Sequence, residues 1–275
     1  MTSTAKHPDL STPYALKPEH IERFRADGFI KLKNVFTAYE LAYYGEELTR
    51  IVMELNPRRG IPMAERTTYA KAFIQVGNIW TKSDIVKQFS FSQRIARIAT
   101  ELMGTRGVRM WHDQALYKEP GGGFTPWHVD QQYWPMATEK CVTAWIPLQA
   151  TPMEMGPLSF ARGSHEKDIA RDMAISDDSE KLIQAAVEQA QLEQVYEPFD
   201  LGEVSFHYGW TLHRAGPNTT DKPRAVHTVI YMDRDMTLAE PANDNQRKDW
   251  EVWTPSTKVG EVMDDALNPV LYSRG

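Results

Sequence analysis

The strongest constraint on the fold is a change of sequence pattern after Gly107. From there on, short apolar or alternating runs are separated by turn residues, which is typical of a β-sandwich or β-barrel. The predicted strands are 108–118, 124–130, 140–148, 156–161, 204–208 and 224–232. Residues 176–195 interrupt them with an Ala-, Glu- and Gln-rich segment that predicts a helix in a long connection. This helix could be a lid over a site or only a surface element.

Before residue 107 the apolar residues recur mainly at helical spacing. The predicted elements are a helix from Pro18 that Gly28 ends, a strand over 30–35, a helix from the Thr37 and Glu40 capping box to about Leu55, and a helix over 91–103 that opens at Ser90 and Gln93 and ends at Gly104. We therefore expect one domain over 1–275. Its parts are a loose arm (1–16), a mainly helical layer (17–106), a β core (107–235) and an irregular C-terminal extension (236–275).

Composition excludes several partners. The net charge of -6 comes without a basic stripe, which disfavours a nucleic-acid partner and favours a small molecule. No apolar run is long enough for a membrane span, and no basic-then-apolar signal segment opens the chain. The single cysteine, Cys141, fits a buried strand position and a reducing compartment. We therefore expect a cytoplasmic protein without membrane contact, of undetermined oligomeric state.

A His-x-Asp triplet lies within one of the predicted strands. His128 and Asp130 are two residues apart, so on an extended strand both side chains leave the same face and Val129 leaves the other. Both could hold one metal ion, although such a triplet also occurs by chance. A third ligand would have to come from the histidines downstream, at His165, His207, His213 and His227.

One of these histidines is followed by an arginine at a suggestive distance. Arg224 comes eleven residues after His213, and the turn-rich segment between them could let two antiparallel strands place both side chains in one cavity. Two histidines and one carboxylate leave metal positions open, which suits non-haem Fe(II). An arginine fork beside such a site would be a natural partner for a carboxylate of a co-substrate.

With these residues in place, the chain resembles the phytanoyl-CoA dioxygenase (PhyH-like) family of Fe(II)/2-oxoglutarate-dependent dioxygenases. The resemblance runs from about Leu16 to Met232. The segments that carry it are KPEHIERFRADGFIKLKNVF, DQALYKEPGGGFTPWHVDQQYW, TAWIPL, MGPLSFARGSH and GEVSFHYGWTLHRAGPNTTDKPR. It implies a mainly β fold with flanking helices, a double-stranded β-helix of the cupin-like jelly-roll type.

The resemblance also implies a reaction and a set of site residues. The iron ligands would be His128, Asp130 and His213, with Arg224 binding 2-oxoglutarate and His207 just outside the iron shell. Gln114 and Trp145 match positions near the co-substrate, although Trp145 could equally be core. The implied reaction hydroxylates an unactivated C–H bond of a small organic metabolite with release of succinate and CO2; desaturation, cyclisation or epimerisation could follow from the same oxidant. Asp130 argues against halogenation, because halogenating relatives have a small residue there.

Substrate residues are much less marked in the sequence. Candidates for the pocket wall flank the metal strand and the segment AFIQVGNIW: Gln75, Asn78, Trp80, Gln132, Tyr133 and Trp134. Nothing marks a CoA site. Two other classes of protein stay open at this stage. One is a jelly-roll metallohydrolase, which would give no role to Arg224. The other is a non-catalytic jelly-roll binding module, which would give no role to the intact set of ligands.

Overall fold

The computed structural model describes residues 7–275. The strands are β1 (Phe29–Leu32), β2 (Ile74–Gly77), β3 (Gly107–Tyr117), β4 (Thr125–His128), β5 (Cys141–Pro147), β6 (Leu158–Ala161), β7 (Gln194–Val195), β8 (Val204–Tyr208), β9 (His213–Ala215), β10 (Val226–Asp233) and β11 (Val270–Ser273). The α-helices are α1 (Pro18–Asp27), α2 (Ala38–Leu55), α3 (Thr68–Ala72), α4 (Asp84–Ser90), α5 (Gln93–Met103), α6 (Asp177–Gln189) and α7 (Asp244–Trp253).

Within this described range the strands form two antiparallel sheets. The larger, seven-stranded sheet has the order β1-β8-β5-β10-β3-β11, with β2 also paired to β3, and the four-stranded sheet has the order β4-β9-β6-β7. Side chains from both sheets meet in one apolar cluster, among them Trp145 and Val226 from the large sheet and Phe160 and Ala215 from the small one. Two antiparallel sheets packed face to face in this way form the predicted jelly roll.

The helices of the first hundred residues cover the outer face of the large sheet. Strand β5 shows why, because its residues alternate between two environments. Val142, Ala144 and Ile146 belong to the same buried cluster as the apolar stripes of α2, α4 and α5. Thr143 and Trp145 point the other way, into a cavity between the sheets. One face of the sheet is thus sealed by helices and the other is left for a site.

The predicted ends of the first three helices are confirmed except at one start. Thr37 and Glu40 form the reciprocal capping box of α2, and Gly28 and Gly104 end α1 and α5 with positive φ of 83° and 70°. Ser90, expected to open the third helix, instead ends α4, which the sequence did not reveal. Its hydroxyl donates to the Asp113 carboxylate at 2.6 Å, so the Ser90 side chain is part of the buried core.

The stretch 9–12 is irregular, but it is anchored. Leu10 is buried in the helical core cluster. Arg94 from α5 donates to the carbonyl oxygens of Asp9 and Thr12, each at 3.0 Å. The prediction of a loose arm is therefore wrong for this stretch, and residues 1–6 lie outside the described part of the chain.

Two further segments depart from expectation or extend it. The C-terminal extension is not irregular, since it contains α7 and β11, and β11 pairs with β3. A helix is present in the predicted insertion 176–195 as α6, capped by Ser176, but it ends at Gln189, and Gln194–Val195 form β7. Ile183 and Val187 of α6 pack with Trp127 of β4, and the Trp127 indole donates to Gln184 at 2.7 Å. None of the helices within residues 7–275 is both long and apolar enough to cross a lipid bilayer.

Candidate metal centre and cavity

The pairing of two short strands places two histidines side by side. In the antiparallel pair β4 and β9, His128 is the direct register partner of His213, and their ring centroids are 4.1 Å apart. Val129 is extended and fully buried in the apolar cluster beside α6. The backbone therefore still alternates at this point, and Asp130 returns to the face of His128 although it begins a short 3-10 turn, Asp130–Tyr133.

The three side chains converge on one point. One imidazole nitrogen each of His128 and His213 and one carboxylate oxygen of Asp130 lie within 4.8 Å of one another, a grouping that could hold a metal ion. Asp130 Oδ1 is 3.7 Å from His128 Nε2 and 3.5 Å from His213 Nε2. The geometry selects Oδ1 as the carboxylate oxygen that faces both imidazoles.

The other oxygen of the Asp130 carboxylate, Oδ2, contacts two further side chains. Thr143 Oγ1 donates to Asp130 Oδ2 at 2.9 Å, and His207 Nε2 lies 3.2 Å from the same oxygen. His207 thus contacts the carboxylate from outside the group of three, in the position that the family resemblance implies. Contacts of this kind fix a ligand in place and tune its basicity.

The hydrogen bonds of the ring Nδ1 atoms orient both imidazoles. His128 Nδ1 is 2.7 Å from the carbonyl oxygen of Pro126, and His213 Nδ1 is 2.9 Å from that of Thr211. Because a carbonyl only accepts, each Nδ1 carries a proton, and in the neutral ring Nε2 is left with its lone pair. Both Nε2 atoms face Asp130, so the group offers two imidazole donors and one carboxylate donor.

Burial and mutual charge set the ionisation of this group. Burial, with the nearby His213, lowers the pKa of His128 to about 3, and burial lowers the pKa of His207 to about 4. Burial alone would raise the pKa of Asp130, but His213 and His207 outweigh it and hold that pKa well below its usual value. Burial opposes charge on His213 too, yet Asp130 outweighs it and raises that pKa. Asp130 is therefore a carboxylate, and His128 and His207 are neutral at physiological pH.

Arg224 is a buried cation that faces the same cavity. It is 2% exposed, donates from Nη1 to the Gly156 carbonyl oxygen at 2.6 Å, and lies 5.4 Å from the Trp145 ring centroid. Its Nε has no hydrogen-bond partner, and within residues 7–275 no carboxylate lies within salt-bridge distance of its guanidinium. Burial lowers its pKa only to about 9, so it stays charged at neutral pH. A buried guanidinium without a counterion is costly, and an anion bound beside it would lower that cost.

His213 and Arg224 reach this cavity by a different route from the one expected. They do not lie on two paired strands, because β9 belongs to the small sheet and β10, which follows Arg224, belongs to the large one. They approach each other across the space between the sheets. The turn-rich segment between them is therefore a crossover from one sheet to the other.

The cavity has a volume of about 320 Å³, and residues of both sheets and of the helices and turns between the strands line it. We call His128, Asp130, His213, Thr143 and His207 its histidine end, and Tyr69, Tyr133, Asp249 and Trp253 its outer end. Of the side chains predicted for the co-substrate or substrate, those that line it are Gln75, Gln114, Tyr133, Trp134 and Trp145. An amide chain runs along its wall, with Tyr69 Oη donating to Gln75 at 2.7 Å and Gln75 Nε2 donating to Gln114 at 2.5 Å.

Three of the substrate candidates are not brought to the cavity. Asn78 has a left-handed backbone (φ 45°) and precedes a 3-10 turn, so it shapes a loop. Trp80 packs against Phe91, and its backbone N–H donates to Asp113. Gln132 is buried, and its carbonyl oxygen accepts hydrogen bonds from α7. Their polar or aromatic character made them candidates, but their roles are local.

Several lining residues were not anticipated. Asp249 and Trp253 come from α7, Tyr69 from α3 and Ile175 from the segment before α6, whereas α6 itself contributes none. No pattern in the sequence marks Asp249, since it is one of several charged residues in a polar stretch. Trp253 was visible only as a tryptophan in the tail.

The remaining histidines on the original short list hold structure together. His165 Nε2 is 3.0 Å from the Arg25 carbonyl oxygen, which ties its loop to the end of α1. His227 is fully buried beside the Ser90 hydroxyl, at 2.9 Å, and Asp113. Neither lies in the group around Asp130, so His213 is the histidine that completes it.

Comparison with known proteins agrees with this geometry. Residues 24–226 match the sequence profile of a family described as phytanoyl-CoA dioxygenase (PhyH). The chain is 26% identical over 243 residues to an ectoine dioxygenase of Stutzerimonas stutzeri, which covers 81% of this chain and 79% of that protein. It is 23% identical over 221 residues to a probable alpha-ketoglutarate-dependent hypophosphite dioxygenase of the same species, covering 74% of each.

Solved structures support the fold. A non-haem alpha-ketoglutarate-dependent carbocyclase, SnoK from nogalamycin biosynthesis, superposes with a TM-score of 0.77 at 24% identity, over 95% of this chain and all of that one. The epimerase SnoN from the same biosynthesis, in complex with Fe3+ and alpha-ketoglutarate, superposes with a TM-score of 0.75 at 24% identity, over 92% of this chain and 98% of that one.

Proposed function

The chain belongs to the phytanoyl-CoA dioxygenase family and is an Fe(II)/2-oxoglutarate-dependent oxygenase, and on that premise we propose which of its residues carry the reaction. His128, Asp130 and His213 hold the iron. Arg224 binds the distal carboxylate of 2-oxoglutarate, assisted by Gln114 and Trp145. The single observation that carries this assignment is that the buried group of three ligands and a buried, unpaired arginine face one cavity.

The donor set fits iron. Two imidazole Nε2 atoms and Asp130 Oδ1 make up a 2-His-1-carboxylate set, which suits non-haem Fe(II). Each donor is already fixed by a second contact, the imidazoles by backbone carbonyl oxygens and Asp130 by Thr143 and His207. An ion bound there would find ligands that need little rearrangement.

The surroundings of Arg224 fit a dicarboxylate. Its Nη1 is used by the Gly156 carbonyl oxygen, which leaves the rest of its fork available. Gln114 accepts from Gln75 through Oε1, so in this orientation its Nε2 is free to donate to a carboxylate or keto oxygen. Trp145 closes the wall beside the guanidinium. These residues would bind and orient the co-substrate while excluding water from it.

The proposed reaction is hydroxylation of an unactivated C–H bond of a small organic metabolite. When bound, iron supplies the oxygen chemistry, in which 2-oxoglutarate is converted to succinate and CO2 as the substrate is oxidised. The protein contributes by positioning the target bond in a cavity whose lining includes six Phe, Tyr or Trp rings and two glutamine amides. Desaturation, cyclisation or epimerisation would need the same positioning, and relatives of the same fold are named as a carbocyclase and an epimerase.

The cavity supports a small substrate. A volume of about 320 Å³ is at the lower end of the range for small-molecule pockets. Arg224 is the sole lysine or arginine among its lining residues within 7–275, so no basic cluster is present for the phosphates of a CoA thioester. Because the lining residues run from Tyr69 to Trp253, we also propose that 1–275 works as one domain.

A spectroscopic experiment tests the assignment. Anaerobic protein with Fe(II) and 2-oxoglutarate should give a weak visible charge-transfer band, and Asp130→Ala should abolish it. Asp172→Ala, which removes an exposed aspartate outside the cavity, should keep the band. A parent protein that binds both compounds without developing the band, or an Asp130→Ala protein that retains it, would refute the proposed ligand set.

A further inference from the structure

Helix α7 contributes two side chains to the outer end of the cavity, and it lies outside the segment that matches the family. The match ends at residue 226, whereas α7 spans Asp244–Trp253. The side chains of Asn243 and Gln246 each lie 3.3 Å from the Gln132 carbonyl oxygen, to which they donate. This docks α7 on the turn that begins with Asp130, and it brings Asp249 and Trp253 to the cavity wall.

Asp249 is a carboxylate without a cationic partner. Within residues 7–275, no lysine, arginine or histidine nitrogen lies within 4 Å of it, although Lys31 and Arg94 show that largely buried cation–carboxylate pairs occur elsewhere in this chain. Burial raises the pKa of the Asp249 carboxyl to about 7, and the Trp253 side chain opposes this by hydrogen bonding to it. A half-buried carboxylate without a counter-charge carries part of the cost of desolvation, which a cationic ligand would lower.

Aromatic rings surround this carboxylate. Tyr69, Tyr133 and Trp253 line the same cavity. Burial is the main cause of the raised pKa values of Tyr69 and Tyr133, and the charges of Asp130 and, more weakly, Asp249 add to both. The two phenols therefore lie within reach of both carboxylates. His112 stacks on Trp253 with ring centroids 4.5 Å apart, and burial lowers its pKa to about 4, so it is neutral. Ring faces beside a carboxylate favour a bound cation.

The charges of the cavity are therefore divided between its two ends. Among the described residues that line it, the carboxylates are Asp130 at the histidine end and Asp249 on α7, and the only lysine or arginine is Arg224 on the co-substrate side. Asp130 already faces His213 and His207, which leaves Asp249 as the carboxylate without a partner of opposite charge. Resting on the proposed function, we propose that the substrate carries a protonated amine, which Asp249 binds at the outer end between Tyr133 and Trp253. The carbon skeleton attached to that amine would extend towards His128, Asp130 and His213.

Matched probes test this proposal by binding and without turnover. Cyclohexylmethylamine, cyclohexylmethanol and cyclohexanecarboxylate share one skeleton and differ in charge. Their affinities are measured by calorimetry at pH 8, above the pKa of Asp249, on the protein alone and on the anaerobic protein loaded with Fe(II) and 2-oxoglutarate. We expect the amine to bind at least about tenfold more tightly than the alcohol, which corresponds to about 1.4 kcal/mol, and the carboxylate to bind most weakly.

Two variants complete the test. Asp249→Asn keeps the shape of the side chain and should bring the affinity of the amine down to that of the alcohol, with circular dichroism and the Fe(II)/2-oxoglutarate band unchanged. Glu251→Gln removes an equal charge from an exposed position on the same helix and should change neither affinity. An amine that binds no better than the alcohol in the parent, or an amine preference that survives in Asp249→Asn, would overturn the proposal. If the amine preference is present but the visible band never forms, the amine site stands and the assignment of iron ligands fails.

Discussion

The histidine end and the outer end of the cavity are built from different kinds of structure. The histidine end rests on strands, because the register of β4 and β9 sets His128 beside His213, and β5 supplies Thr143. The outer end rests on α3 and α7, and α7 has no buried residue of its own. The 3-10 turn Asp130–Tyr133 joins the two ends, because it begins with Asp130 and ends with Tyr133.

The carboxylates of the two ends, Asp130 and Asp249, also differ in their partners. Both oxygens of Asp130 face named partners at the histidine end. Asp249 at the outer end has no ion-pair partner within residues 7–275. The comparison teaches that the groups needed for the shared chemistry are held by the rigid frame, whereas the groups that would select a substrate are held by elements added around it.

The largest expected effect concerns the co-substrate. Arg224→Ala should raise the dissociation constant for 2-oxoglutarate by more than about 100-fold, because removal of one partner of a buried charge pair costs about 3–5 kcal/mol. The affinity for Fe(II) should change by less than about threefold, since Arg224 contacts none of the three proposed ligands. Titration of the visible band with 2-oxoglutarate and with Fe(II) measures both.

Arg214→Ala is the matched control for this prediction. Arg214 lies on β9 next to His213, but its side chain pairs with Glu180 and does not line the cavity. It should leave both affinities unchanged. An Arg224→Ala protein with the affinity of the parent for 2-oxoglutarate would show that the arginine has another role.

A second prediction tests whether the outer end is independent of the histidine end. Trp253→Ala removes a half-buried indole that stacks on His112 and fills the space beside Gly77, so it should lower the free energy of unfolding by about 2 kcal/mol. The band with Fe(II) and 2-oxoglutarate should persist with unchanged affinities. Chemical denaturation and the band titration give the two results. A loss of iron or 2-oxoglutarate binding in this variant would mean that the two ends form one cooperative unit.

The sequence predicted the histidine end well for the same structural reason. Strand alternation carries His128 and Asp130 to one face whatever the details of the loops, and the sheet-rich pattern after Gly107 predicts a frame able to bring His213 close. Of the two residues that contact Asp130 Oδ2, only one could be predicted. His207 came from the family resemblance, whereas Thr143 looks like any other β-branched strand residue.

The outer end could not be predicted in this way. Helix α7 packs by a few contacts and buries no residue, so its sequence lacks the apolar periodicity that marks α2 and α5. At the histidine end, strand β9 was not predicted as a strand either, because a run of three residues carries no pattern. Asn78, Trp80 and Gln132 were chosen by residue type, and type alone does not say which way a loop side chain points.

The smallest expected effect is at the histidine end, where it separates the hydrogen bond that orients Asp130 from the charge of its carboxylate. Thr143→Val keeps the volume of the side chain but removes the hydroxyl that donates to Asp130 Oδ2 at 2.9 Å. His207 would remain on that oxygen, so the carboxylate should stay ionised but lose part of its orientation. We expect the affinity for Fe(II) to fall by about tenfold, the lower limit of what loss of such a supporting contact costs. Thr228→Val, which changes another buried threonine of the cavity wall that contacts the Gln114 carbonyl oxygen, should leave Fe(II) affinity unchanged. If both variants lowered the affinity for Fe(II) equally, the effect would come from a general disturbance of the cavity wall. The hydrogen bond to Asp130 would then not be a feature that distinguishes the histidine end from the outer end.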